Sequence, residues 1–173
     1  MVEKNRIPPY IMSNSPSMRI ARIAIFTALC AVGSLIKIPS PVGSLAFDSA
    51  AGFFAALYFG VFEGAMVSGI GHMATAVVSG FPLGYLHLPI ALGMALAGGS
   101  VGFINKANKT WGFIPALTVG VIINTAFTFV VVPDPNYGLS IALAFIPFVF
   151  AAAVLNVVVA GLSYVGLRGK LRV

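Results

Sequence analysis

Charge is what this sequence has least of. Only 8% of its 173 residues are charged, and four acidic side chains stand against ten Lys and Arg. A soluble domain carries about 25% charged residues. With 59% hydrophobic residues and a mean hydropathy of +1.01, so short a chain has too little interior to hide its apolar side chains. Its surface therefore faces lipid. Cysteine is almost absent: Cys30 stands alone inside an apolar run, which excludes a disulfide framework and a cysteine-rich metal site. Catalytic signatures are missing too. There is no G-x-x-x-x-G-K-S/T phosphate loop and no H-E-x-x-H pair, so the chain reads as a non-enzyme with no cofactor.

What is present is a series of long apolar runs. A helix needs roughly 20 apolar residues to cross the hydrocarbon core. Six candidates occur, over about 19–37, 46–60, 62–79, 85–104, 112–132 and 139–166, broken at Pro/Gly clusters such as Pro39-Ser-Pro41, Ser79-Gly-Phe-Pro82 and Pro133-Asp-Pro135. The second is short, and only Gly60–Gly64 divides it from the third. Pro89 and Pro147 fall inside the fourth and sixth, where each kinks its helix or marks where it begins. The expectation is an all-α integral membrane protein of one domain. It has a cytoplasmic tail over 1–18, a membrane domain over 19–167 and a basic tail over 168–173.

The net charge of +6 does not point to nucleic acid, because the cations sit at the ends of apolar runs rather than along a polar face. Six spans put Lys4, Arg6, Arg19, Arg22, Lys106, Lys109, Arg168, Lys170 and Arg172 on one side and Lys37 on the other. That asymmetry predicts both termini in the cytoplasm.

Between Lys37 and Lys106 the only formal charges are Asp48 and Glu63. Ionisable residues within a membrane domain are functional candidates. On the six-span reading Lys37, Asp48, Phe81, Tyr85, His87, Asp134, Asn136 and Tyr137 gather near the outer face. His72, Thr75 and Ser79 lie in the outer half of the third helix, Asn124 and Thr128 in the middle and outer part of the fifth, and Glu63, Asn105 and Asn156 toward the cytoplasm. Each has a plainer alternative. Asp48 opens the second helix, either as its N-cap or as a ligand carboxylate, and an ion pair with Lys37 is a further reading. His72 is either a structural hydrogen-bonding group or a substrate contact, and His87 either an interface anchor or a contact. A metal site from His72, His87 and Asp48 fits no ligand spacing. Gly64, Ser68, Gly71, Thr75 and Ser79 share one helix face, which serves either close helix packing or a cavity wall. Phe47, Phe81, Tyr85 and Tyr137 are candidates to stack on a flat ring.

Three features together resemble a known family. Ala24-x-x-x-Ala28 lies in the first helix. The run Ile36-Lys-Ile-Pro39, Ala46-Phe-Asp-Ser49, Gly52-Phe-Phe-Ala55 follows, then Gly69-Ile-Gly-His72, Ser79-Gly-Phe-Pro-Leu83 and His87. These resemble the substrate-binding S components of energy-coupling factor (ECF) vitamin importers, over residues 17–167. The resemblance implies a six-helix S-component bundle that captures a vitamin-like small molecule near the outer face. It implies Pro39 to Asp48 as a lid. It implies Ala24 and Ala28 as the docking contacts for a membrane T component carrying two ATPases. Substrate contacts would come from Lys37, Phe47, Asp48, His72, Thr75, Ser79, Phe81, Tyr85, His87 and Asn124. The Phe47-Asp-Ser49 and Ser79-to-His87 pattern is similar to sequences assigned to alpha-ribazole uptake, with pantothenate and riboflavin as the next ligands. Metal transport is not expected, since residues 1–18 hold no histidine. The competing classes are a stand-alone secondary carrier or channel and a structural membrane subunit. The first usually shows internal repeats and the second needs no outer polar cluster.

Overall fold

A computed structural model describes residues 15–37, 46–107, 111–131 and 133–168. It is all-α. The helices are α1 (Pro16–Gly33), α2 (Ala50–Phe59), α3 (Val61–Val78), α4 (His87–Ala107), α5 (Phe113–Ala126) and α6 (Gly138–Leu167). Five segments are long and apolar enough to cross a membrane, and α2, with 10 residues, is shorter.

The boundaries follow local chemistry. α1 begins three residues before the expected position and ends earlier. Ser15 Oγ accepts the Met18 N–H at 3.4 Å, with Pro16 in the first turn, where its missing N–H costs nothing. The helix stops at Gly33, and Lys37 then pairs antiparallel with Ala46. The expected lid therefore falls mostly on residues 38–45, outside the described residues. Pro89 lies in the first turn of α4, so it marks a start. α5 passes at Phe127–Val131 into a 3₁₀ segment.

α2 is the axis of packing. Seven of its residues, Ala50, Gly52, Phe53, Phe54, Ala55, Ala56 and Leu57, are buried. A helix apolar on every side belongs inside. Phe53, Leu57, Val101, Leu117, Val121 and Val157 join it in one core drawn from α2, α4, α5 and α6. Gly60, at φ 104°, is the sole residue between α2 and α3. An L side chain rarely adopts that angle, so the chain reverses there without a longer loop.

The small-residue face of α3 packs against other helices. A Cβ on Gly64 would lie 2.7 Å from Ala56 Cα, and one on Gly71 would lie 2.6 Å from Cys30 Sγ. The outer surface is apolar: Ile20, Ile25, Leu92, Phe103, Ile122 and Leu162 are all exposed. No water-soluble surface tolerates so much continuous hydrocarbon.

Cross-helix contacts sort the charges. Arg19 Nε meets Glu63 Oε1 at 3.0 Å, and Arg19 lies over the Phe62 ring at 4.2 Å. Arg22 covers Phe59 and Arg168 covers Phe113. Asn105 Nδ2 donates to the Leu57 carbonyl at 2.9 Å. These contacts gather the described cations Arg19, Arg22, Lys106 and Arg168 at one end of the bundle. Lys37 lies at the other, where its Nζ donates to Ser79 Oγ at 2.6 Å. The expected Lys37–Asp48 ion pair does not form. The end of α1 meets the end of α3 instead, and the ammonium reaches the nearer hydroxyl.

Candidate functional site

Toward the Lys37 end the helices part around a cavity of about 770 Å³, counting its mouth. Its polar lining is Asp48 and Ser49 before α2, His72 on α3, His87 on α4, Asn124 and Thr128 along α5 and its 3₁₀ extension, and Asn156 on α6. The rest is apolar, including Ile90, Met94, Phe127, Phe145 and Val149. A mostly apolar pocket with a few placed polar groups suits an organic small molecule. No described α1 residue lines it.

The floor is set by Asn156. Its Oδ1 accepts the Ala50 N–H at 2.8 Å, and its Nδ2 donates to the carbonyls of Ala46 and Ala152 at 2.9 Å each. The N-cap role expected of Asp48 is thus taken by a side chain from α6. Ser49, the residue at the cap position, makes no side-chain capping bond. α2 starts where Asn156 can reach it, more than half-way along α6. The segment before α2 therefore dips into the bundle, which explains why α2 is short. Asn156 was expected toward the cytoplasm, and the structure instead puts it on the cavity. The sequence does carry a signal for it: it is the only polar side chain from Ile141 to Leu162.

Asp48 rests on this dipping segment. Burial pushes its carboxyl up to about 6, against hydrogen bonds from Thr75 and from the Asp48 and Ser49 backbone and, least, the Lys37 charge. Thr75 has one hydroxyl proton for two acceptors, the Gly71 carbonyl at 3.1 Å and the Asp48 carboxyl. The charged acceptor makes the stronger bond when Asp48 is ionised. Thr75 is thus a neighbour of the site and does not line it.

The two histidines, 15 residues apart in sequence, meet here. His72 Nε2 and His87 Nδ1 are 3.1 Å apart, and the Leu83 N–H donates to His87 Nε2 at 3.3 Å. Phe81, held at φ 53°, turns its ring edge-on to His87 with 5.6 Å between centroids. Thr128 is buried, and its Oγ1 finds no partner among the described residues. A buried hydroxyl without a partner is costly, and this one lines the cavity.

Of the residues expected to contact substrate, Asp48, His72, His87 and Asn124 line the cavity. Lys37, Phe47, Thr75, Ser79, Phe81 and Tyr85 do not. Lys37 and Ser79 bond each other at the rim. Tyr85 is exposed, and its hydroxyl donates to Asp134 Oδ2 at 2.6 Å. That bond, with the Asn136 N–H, holds the Asp134 carboxyl below its ordinary value. Tyr137 reaches the Pro82 carbonyl at 3.5 Å. The loop aromatics tie the rim together, while the aromatic rings on the cavity wall are Phe127 and Phe145. Ala24 and Ala28 lie exposed on α1. Among the described residues no group of three or more His, Cys, Asp or Glu is placed to hold a metal ion.

Residues 16–168 match the family described as ECF-type riboflavin transporter, S component. A solved structure, the S component of a bacterial ECF transporter, shares 22% identity and a TM-score of 0.66, over 92% of this chain and all of that one. At that identity the likeness shows the fold alone. No curated protein matches the sequence.

Proposed function

Since the chain belongs to the S-component family of ECF-type riboflavin transporters, the substrate-binding subunits of ECF importers, we propose that its cavity captures a neutral, flat heteroaromatic molecule carrying hydroxyl groups. Alpha-ribazole is the first candidate. Riboflavin is the second, favoured by the description of the matching family. The two share a dimethyl-substituted benzo ring fused to a nitrogen heterocycle and a sugar-derived polyol.

The observation that carries this reading is the charge of the wall. Asp48 lines the cavity, and among the described residues no Lys or Arg does. An anionic ligand such as pantothenate would bring its carboxylate beside another with no cation to pair it, at a cost the site does not offset. A neutral ring meets Phe127, Phe145, Ile90 and Met94, while its hydroxyls have Asp48, Asn124 and Thr128 within the same cavity.

The cations gathered at the opposite end support a topology in which that end, with both termini, is cytoplasmic. The cavity then opens to the outside of a prokaryotic plasma membrane. The exposed Ala24–Ala28 face of α1 is the surface offered to the membrane T component, with two ATPases supplying energy. The test is to purify the chain alone, identify any retained molecule by mass spectrometry, and measure thermal shifts with alpha-ribazole, riboflavin and pantothenate. A shift with alpha-ribazole supports the first candidate and a shift with riboflavin alone the second. A shift with pantothenate alone, or none across the panel, overturns the proposal.

A further inference from the structure

The two histidines form a chain whose proton positions are dictated by a backbone amide. A neutral imidazole has one nitrogen that donates and one that accepts. Leu83 N–H can only donate, so His87 Nε2, at 3.3 Å, must be the bare, accepting nitrogen. The proton of His87 then sits on Nδ1, which lies 3.1 Å from His72 Nε2 and donates to it. His72 Nε2 is thereby an acceptor as well, and its own proton is forced onto Nδ1. Both rings are held in the Nδ1–H form, the tautomer that histidine in water favours less. His87 has spent both nitrogens on protein partners and is almost fully buried. His72 Nδ1–H makes no hydrogen bond among the described residues, and His72 lines the cavity.

We infer that Leu83 and His87 fix the tautomer of His72 so that it presents an N–H donor to the cavity, selecting ligands with an unprotonated ring nitrogen or carbonyl at that point. This rests on the cavity's being the substrate site. His87 is on this account a positioning residue: it never bonds the ligand and acts through His72. The arrangement also gives directional discrimination. A site with a fixed buried donor rejects the analogue that lacks the matching acceptor much more strongly than a hydrophobic wall rejects a change of size. The bare imidazole nitrogen of a benzimidazole nucleoside is such an acceptor, and so are the ring nitrogens and carbonyls of an isoalloxazine.

The chain's having two histidines in all makes the test direct. Nitrogen-15 histidine spectra of the full-length, ligand-free protein in nanodiscs should show Nδ1 protonated and Nε2 bare in both rings. A His72 ring protonated on Nε2 overturns the inference, whether or not any vitamin binds. This separates its failure from that of the substrate reading. In His87→Phe the donor to His72 is lost; the His72 ring should shift toward the Nε2–H form and affinity should fall tenfold or more. His87→Asn, whose amide N–H stands near the lost Nδ1–H, should keep the His72 tautomer and most of the affinity. Should His87→Phe fail to fold, the wild-type spectrum decides alone. On the ligand side, alpha-ribazole should bind at least tenfold more tightly than its indole analogue, in which the bare ring nitrogen is replaced by C–H. Equal binding within that pair overturns the donor role; if riboflavin is the ligand recognised, the wild-type spectrum and the His87→Phe variant decide instead, because the isoalloxazine carries several acceptors.

Discussion

Asn156 holds Ala50 by its N–H at 2.8 Å and Ala46 by its carbonyl at 2.9 Å, so one amide on α6 both starts α2 and fixes the strand-like residue that precedes it. Removing that amide orphans a buried donor and a buried acceptor at once. Asn156→Ala should therefore destabilise the protein by about 2 kcal/mol or more. The check is thermal or denaturant unfolding in detergent, together with faster hydrogen exchange at the start of α2. A variant as stable as the parent would show that α2 needs no cap from α6.

The α3–α4 contact is backbone-close. A Cβ on Gly98 would strike the Gly64 carbonyl oxygen and Ser68 Oγ, whereas one on Gly99 would meet Ala65 Cβ at an ordinary 3.6 Å. Gly98→Ala should cost about 1–3 kcal/mol through overpacking. Gly99→Ala should be neutral or stabilising by up to about 1 kcal/mol, since alanine is the better helix former. Melting temperatures of the two variants, measured side by side, separate close approach from propensity.

Asp48 makes stability pH-dependent in a definite direction. Its folded value of about 6 lies above the ordinary 3.8, so the folded state holds this proton more tightly than the unfolded state does. The stabilisation is fully present below about 4. It is lost as pH rises through about 6 and does not return above it. Melting temperature should fall across that window, and Asp48→Asn should flatten the fall.

Ala24 is exposed on the face of α1 away from the cavity. Ala24→Trp should leave ligand affinity within about twofold of the parent, because no α1 residue touches the site. Uptake by cells that also make the T component and ATPases should be abolished if α1 is the docking face. Uptake at the parent rate would remove α1 from that role.

Much of this architecture is legible in the sequence, because lipid imposes simple rules. Pro/Gly breaks and apolar run lengths delimit the helices, and the lone Lys37 against the other cations separates the two ends. His72, His87, Asp48 and Asn124 stand out as rare polar groups in apolar runs, and the structure brings these four together. What the sequence hides is pairing between distant segments. Nothing local tells that Asn156 reaches Ala50, or that His72 meets His87 across the α3–α4 turn. Phe127 and Phe145 lie in runs where a cavity-facing ring and a lipid-facing ring look alike. Phe81, Tyr85 and Tyr137 attract notice as loop aromatics, yet Tyr85 and Tyr137 bond each other's loops at the rim and Phe81 packs edge-on against His87.

α1 touches the rest of the molecule in a particular way. Arg19 ties its start to Glu63, Lys37 beyond its end ties to Ser79, and Lys37 pairs with Ala46, which belongs to the cavity wall. The cavity and the exposed face of α1 are thus separate surfaces, joined through Lys37 and Ala46 and through the packing of Phe26 and Cys30 against α2 and α3. Thermodynamic reciprocity governs any coupling across these contacts: whatever free energy something bound at α1 spends to loosen a molecule in the cavity, that molecule exerts in equal measure on the grip at α1. To the extent that these contacts respond to what fills the cavity, a loaded chain and an empty chain are different objects to anything that holds α1.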